Sequence, residues 1–256
     1  MRFKDVVGMD AKRFERLSAL GKCLVLEDPQ CLVEIIRVGA KDEAEWVRKA
    51  AVGNPSAPED VIRRGFEDED RWVRAAAAGN PSAPEDVIRT GAMDEAVTVR
   101  MAAVGNRSAP EDVIRAGVSD EKEGVRWAAA GNPSAPEDVI RRGFEDENWY
   151  VRVVAVRHPS APEDVIRAGV RDVFWDVRLA VVGNPSAPED VIRAGMGFRE
   201  RKVRVLIAGN PGLPQDLAEK LSKSKVVAVQ EALAENPAVP EHIRVVVRMK
   251  LEAGRR

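Results

Sequence analysis

The side chains of this chain that could do chemistry recur on a fixed beat. Arginine follows valine at Arg48, Arg74, Arg100, Arg126, Arg152, Arg178 and Arg204. A row of guanidinium groups can clamp phosphates or carboxylates, because its planar donor fork takes two oxygens at once. Carboxylates keep the same period, at Asp60, Asp86, Asp112, Asp138, Asp164 and Asp190 and again at Asp42, Asp68, Asp94, Asp120, Asp146 and Asp172. They are numerous enough to neutralise the arginines. The row is therefore expected to be a structural ladder, each guanidinium reaching acids of its own or the next unit. A row of ligand contacts is the alternative.

Catalytic constellations are absent from the sequence. Only two histidines occur, His158 and His242, so no Ser/His/Asp grouping can be assembled. Glycine falls at the ends of expected helices and never in a G-x-G-x-x-G or phosphate-loop spacing. Cys23 and Cys31 are too few for a metal-thiolate cluster. The expectation is a non-enzymatic protein with no catalytic residues, no metal and no cofactor.

Aromatic residues stand out against the constant text. Just before Val-Arg, successive units carry Glu45-Trp46, Arg71-Trp72, Val97-Thr98, Glu123-Gly124, Trp149-Tyr150, Trp175-Asp176 and Arg201-Lys202. Positions so tolerant of charge, glycine and indole are not deep core in every unit. Trp149, Tyr150, Phe174 and Trp175 fall in consecutive units on one side and form a candidate partner surface. Arg157 and His158 replace the usual Gly-Asn between those two units and join it. Packing that protects the helix ends is the competing reading of the rings.

The elements that must position these groups follow from the repeat. Its opening residue returns every 26 positions, at Asn54, Asn80, Asn106, Asn132, His158, Asn184, Asn210 and Asn236, with a looser copy from Asp28. Fixed self-similarity at this period is the mark of a solenoid, each unit burying its apolar face against its neighbours. In the unit from Asn54, Asn-Pro ends the preceding helix. Ser56 stands three residues before Glu59, the spacing of a capping box, and Pro58 suits a first helical turn. Val61 and Ile62 supply a buried side, and Gly65 is expected to stop this short helix at positive φ. Asp68 is expected to cap a second helix over 69–78, with Val73, Ala76 and Ala77 on one face and Gly79 closing it. Ser82, Asp94, Ser108 and Asp120 are the equivalent expected caps.

Residues 1–27 read as a degenerate N-terminal cap unit, 28–235 as eight repeats, and 236–256 as a partial capping repeat with a basic tail. Forty basic against 42 acidic residues give a net charge of −2, which favours neither nucleic acid nor an anionic membrane. The start, Met1-Arg-Phe-Lys-Asp, lacks a signal peptide's apolar core, and no run is long enough to cross a membrane. A cytoplasmic protein is expected, with another protein as partner. Nucleic acid is the alternative, bound through Arg193, Arg199, Arg201, Lys202 and Arg204 or the tail from Arg244 to Arg256, with Trp149 and Trp175 stacking on bases.

The repeat text Asn-Pro-Ser-Ala-Pro-Glu-Asp-Val-Ile-Arg-Arg-Gly-Phe-Glu-Asp-Glu-Asp-Arg-Trp-Val-Arg-Ala-Ala-Ala-Ala-Gly resembles the leucine-rich repeat variant family, over residues 28 to about 240. The resemblance implies an all-α fold, a right-handed alpha-alpha superhelix in which α- and 3₁₀-helices alternate. By that analogy the short element after Ser56 is α or 3₁₀, a choice the residues leave open. It also implies an N-terminal iron–sulfur cluster, from which this chain departs by carrying only Cys23 and Cys31. The units here are also slightly longer than those of the family's better-known members.

Overall fold

A computed structural model describes residues 10–198 and 201–254, leaving out the side chain of residue 201. Arg199, Arg255 and Arg256, and the Arg201 side chain, named above as basic groups, lie outside the described residues. So does the stretch 1–9. The described residues form nineteen α-helices and no strand. The chain divides into two compact units, Met1–Val139 and Ile140–Arg256. Within each, a short A helix and a B helix make one 26-residue repeat, and successive repeats stack as an all-α solenoid.

The A helices of the first unit are Val33–Gly39, Glu59–Phe66, Glu85–Gly91 and Glu111–Gly117, alternating with B helices Ala19–Leu26, Glu45–Gly53, Arg71–Ala78, Val97–Val104 and Glu123–Ala130. In the second unit, B helices Trp149–Arg157, Trp175–Val182, Arg201–Gly209 and Val227–Glu235 alternate with A helices Glu163–Gly169, Glu189–Gly195, Gln215–Leu221 and Glu241–Gly254. Both members of each pair are α-helices among the described residues, so the 3₁₀ element that the resemblance implied does not form. In Glu59–Phe66 one tight bond from the Val61 N–H to the Pro58 carbonyl (2.9 Å) opens the helix. The Ile62 N–H then reaches the same carbonyl (3.1 Å) and the α pattern takes over.

Three expectations of local structure are corrected. Ser56, Ser82 and Ser108 cap nothing, because each helix opens after proline and the N-cap is Pro58, Pro84 or Pro110. Serine sits two residues too early, inside a turn closed by the Ala57 N–H on the Asn54 carbonyl (2.9 Å). Its own N–H donates to Asn54 Oδ1 (2.7 Å). Asp68, Asp94 and Asp120 also stand two residues ahead of the N-cap, each accepting the N–H two positions on, as in Asp70 N–H to Asp68 Oδ1 (2.9 Å). Asp70 is the true cap of Arg71–Ala78, accepting from Trp72 (2.8 Å) and Val73 (3.2 Å). Gly65 lies inside its helix with ordinary φ. It is needed because a Cβ there would come within 2.5 Å of Val52. Gly79 does close its helix, again at negative φ.

The core of each repeat is two apolar stripes facing each other, Val61 and Ile62 of the A helix and Val73, Ala77 and Ala78 of the B helix, all buried. Alanine and glycine bring the B helices close, as where a Cβ on Gly79 would lie 3.4 Å from Ala102. Between repeats runs a chain of buried asparagines. Asn80 Nδ2 donates to the Val52 carbonyl (2.7 Å) and the Asn54 carbonyl (3.0 Å), and its Oδ1 accepts the Ser82 N–H (2.8 Å). Asn106 does the same to Ala78, Asn80 and Ser108. In the second unit Asn184, Asn210 and Asn236 repeat the pattern. One of the two carbonyls lies at the end of the preceding B helix, where no intrahelical donor reaches, and the other, one repeat back from the donor, also accepts the N–H of its own turn.

Ala129 is fully buried and faces Gly117 of its own repeat. Ala129→Asp is expected to cost about 4 kcal/mol or more, since it puts a carboxylate where neither water nor a cation can reach. Thermal and urea unfolding measure it. An unchanged melting temperature would mean that the helix faces are assigned wrongly.

Candidate functional site

The arginine row divides into two kinds of rung. In the first kind the guanidinium bridges two repeats. Arg48 Nε and Nη2 hold Asp68 (2.7 and 3.0 Å) while Nη1 donates to the Asp42 and Glu43 carbonyls (3.0 and 2.9 Å). Arg74 takes Asp94 in this way, Arg100 takes Asp120 and Arg152 takes Asp172. Lys22 opens the row on Asp42 (2.6 Å). Arg126 donates to the Asp120 and Glu121 carbonyls. Side chains of these pairs are mostly buried, 15% and 13% exposed for Arg48 and Asp68.

In the second kind no acid of the row is present. The residue twenty positions after Arg178 is Phe198, and the one twenty after Arg204 is Ser224. Arg178 keeps its carbonyl contacts, to Asp172 and Val173, and lies over the Trp175 ring (5.5 Å). Ser224 retains the turn, its Oγ accepting the Val226 N–H (3.1 Å), but offers no charge.

A second set of cations, unread in the sequence, ties the A helices together at the surface. Arg63 holds Asp86, Arg89 holds Asp112 and Arg115 holds Asp138, while Arg141, Arg167 and Arg193 hold Asp164, Asp190 and Asp216. The signal was in the sequence, since Arg and Asp recur 23 positions apart. It needed the stacking direction to be read.

The aromatic residues occupy the B helices. In the second unit Trp149 stacks on Phe174 (6.1 Å, 15°) and meets Tyr150 edge-on (5.5 Å). The Arg152 guanidinium also lies over the Phe174 ring, at 5.2 Å. Tyr150 and Phe174 are 52% and 43% exposed. Trp175 turns instead to Phe198, edge-on at 5.7 Å. Three of the four expected rings thus form one cluster and the fourth starts another. Arg157 is exposed. His158 is not a surface residue: it is buried in the asparagine position, its Nδ1 accepting the Ser160 N–H (3.1 Å) as an asparagine oxygen would. Imidazole fits there because it presents the same acceptor toward its own turn.

The first unit holds a site that the sequence reading passed over. Trp46 and Trp72, one repeat apart, are each about half exposed, and the Lys49 ammonium lies 5.6 Å above the Trp72 ring. A cavity of about 460 Å³ opens beside them, walled by Cys23, Glu27, Trp46 and Lys49 and floored by Gly53 and Ala76. A smaller notch of about 260 Å³ lies among Glu45, Trp46, Lys49, Asp70 and Trp72. Small residues and the Trp46 indole line the larger cavity, and both indoles flank the charged notch, so flat apolar or cationic groups fit here. The cue was two tryptophans in one column with a lysine three positions after the first.

Neither thiol is set up for chemistry. Burial pushes Cys31 up to about 11, and burial with Glu27 and Asp42 nearby raises Cys23. Among the described residues no group of three or more His, Cys, Asp or Glu side chains could hold a metal ion. No helix among them is long and apolar enough to cross a membrane.

No family model matches the chain. No curated protein matches it either. Among solved structures, one described as a leucine-rich repeat variant with a novel repetitive protein structural motif is similar over 80% of this chain and 88% of its own, at 23% identity and a TM-score of 0.50. That likeness is one of fold, to a helical-repeat protein.

The bridging rungs predict acid sensitivity. The Arg48 hydrogen bond holds Asp68 below the usual carboxylate range against the opposing push of burial. For Asp94, burial is the largest influence and raises the carboxyl, but the Arg74 and Ala96 hydrogen bonds outweigh it and the net shift is downward. A depressed folded value contributes stability above the unfolded value of about 3.9, lost as pH falls through the folded value. Wild type should lose melting temperature more steeply below about pH 4 than the Arg74→Gln/Asp94→Asn double variant. Equal slopes in a pH series of thermal melts would exclude the rungs as the source.

Proposed function

We propose that this protein is a non-catalytic interaction module of the leucine-rich-repeat-variant kind, a cytoplasmic scaffold that binds another protein through its B helices. The observation that carries the reading is the groove of the first unit, where Trp46 and Trp72 stand half exposed around Lys49. Exposed indoles over a shaped apolar floor are the kind of surface at which a few side chains dominate protein binding. Family membership is supported by the repeat text and by the distant likeness of fold. Free Cys23 and Cys31 suit a reducing compartment.

The ladder supports the same choice of partner. Arg48, Arg74, Arg100 and Arg152 are committed to carboxylates, which withdraws them from phosphate contact. The Trp149–Tyr150–Phe174 cluster is a second candidate contact in the other unit, since Tyr150 and Phe174 keep about half their surface free.

The test is a selection of peptides from a random library on immobilised protein. Peptides enriched by wild type are expected to bind at least tenfold more weakly to Trp46→Ala/Trp72→Ala, and unchanged to Arg63→Ala on the A helices. Enrichment no better than on an unrelated protein, or affinity indifferent to both tryptophans, would refute the reading.

A further inference from the structure

The two incomplete rungs are the feature that the scaffold does not explain. Lys22, Arg48, Arg74, Arg100 and Arg152 each hold an aspartate twenty residues on. The same offset from Arg178 and Arg204 reaches Phe198 and Ser224. At Arg178 the guanidinium is positioned as in a complete rung, its Nη1 donating to the Asp172 and Val173 carbonyls. Its Nε and Nη2 edge is the one that takes the carboxylate elsewhere, as Arg152 takes Asp172 with Nε and Nη2 at 2.8 and 3.1 Å. Among the described residues no carboxylate pairs with Arg178 or Arg204. Arg204 and its neighbour Lys202 are exposed.

Loss of the acid is specific to charge at the second rung. Ser224 still accepts the N–H two residues on, so the turn that aspartate builds elsewhere persists there without it. The repeat has kept the fold function of this position and dropped its ion pair. Asp176 and Glu235 are exposed and pair with neither arginine, and Glu200 lies outside the described residues.

We infer that Arg178 and Arg204 are completed from outside, by two carboxylates of an acidic, extended segment of a partner protein. Neighbouring helices pack about 8–10 Å apart, so the two rungs are separated by about 10 Å. An extended chain rises about 3.3 Å per residue, which places the matching carboxylates three residues apart. Lys202 lies between the rungs along the chain and adds attraction at longer range. Trp175, which Arg178 covers, and its edge partner Phe198 are only half-buried and supply apolar surface beside the first rung. A carboxylate is the favoured occupant because the partner missing from each rung is itself a carboxylate, as Asp172 is for Arg152. The inference builds on the interaction-module reading but uses a different unit from the Trp46–Trp72 groove, so either can fail alone.

The experiment is fluorescence anisotropy with a short labelled peptide carrying glutamate at every third position, its glutamine counterpart, and a labelled single-stranded oligonucleotide. Wild type is expected to bind the glutamate peptide at least tenfold more tightly than the glutamine peptide at low salt, with the difference shrinking as salt screens it. Arg178→Ala/Arg204→Ala should abolish the preference. Ser224→Asp repairs one rung from within and should weaken the glutamate peptide severalfold without lowering the melting temperature. Phe198→Asp should do the same if it folds, and Ser224→Asp decides the matter if it does not. Trp46→Ala/Trp72→Ala should leave this binding intact. Equal affinity for the two peptides, undiminished binding by Ser224→Asp, or a preference for the oligonucleotide would each overturn the inference.

Discussion

A buried asparagine must find three hydrogen-bond partners at once, and here it finds two of them only on the repeat before its own. Asn80 gives both Nδ2 protons to carbonyls 26 and 28 residues earlier while its oxygen holds the turn that starts its own A helix. Leaving such groups unpaired in the interior costs about 1–3 kcal/mol each. One repeat therefore cannot complete its own end or its successor's start, and the stack becomes the smallest object with satisfied backbone. Spacing follows too, because an insertion would carry the amide out of reach of the helix end. The constancy of the 26-residue period is a hydrogen-bond requirement before it is a packing one.

Once the asparagines fix repeat-to-repeat geometry, the charged residues acquire fixed partners. The inner cations meet aspartates twenty residues on and the surface arginines meet aspartates 23 residues on. Arg178 and Arg204 apart, both sets are consumed within the scaffold. What is left to vary is the outward face of the B helices. Indoles, lysine and glycine alternate there without disturbing a core made of valine, isoleucine and alanine. A scaffold whose asparagines and most of whose ladder arginines are already paired, with a variable face, is suited to recognition.

Much of this was legible in the sequence because the repeat reports it many times over. The helix pairs, their order and the apolar stripes follow from the period and from Val61, Ile62, Val73 and Ala77. The misreadings share one cause, which is that local patterns were read without the neighbouring repeat. Ser56 and Glu59 have capping-box spacing, yet proline sets the helix start and serine falls outside it. Gly65 reads as a left-handed terminator until Val52 of the preceding repeat is placed against it. Asn-Pro is sufficiently explained by proline, so nothing local announces a side chain that reaches back 28 residues. His158 read as a surface departure because its acceptor role shows only when the turn is built. Trp46 and Trp72 were visible as tryptophans, but the cavity beside them exists only after Cys23, Gly53 and Ala76 come together from three repeats.

The central claim is that the asparagine amide, and not its size, joins the repeats, and comparison of Asn106→Ala with Asn106→Asp by urea unfolding tests it most directly. Alanine should cost about 2–4 kcal/mol, since it strips the Ala78 carbonyl of its donor, leaves the Asn80 carbonyl only the Ala83 N–H and frees the Ser108 N–H. Aspartate, nearly the same shape, should cost at least as much at neutral pH, because it turns a charged acceptor toward those two carbonyls. An aspartate variant as stable as wild type, or an alanine variant within about 0.5 kcal/mol of it, would contradict the account.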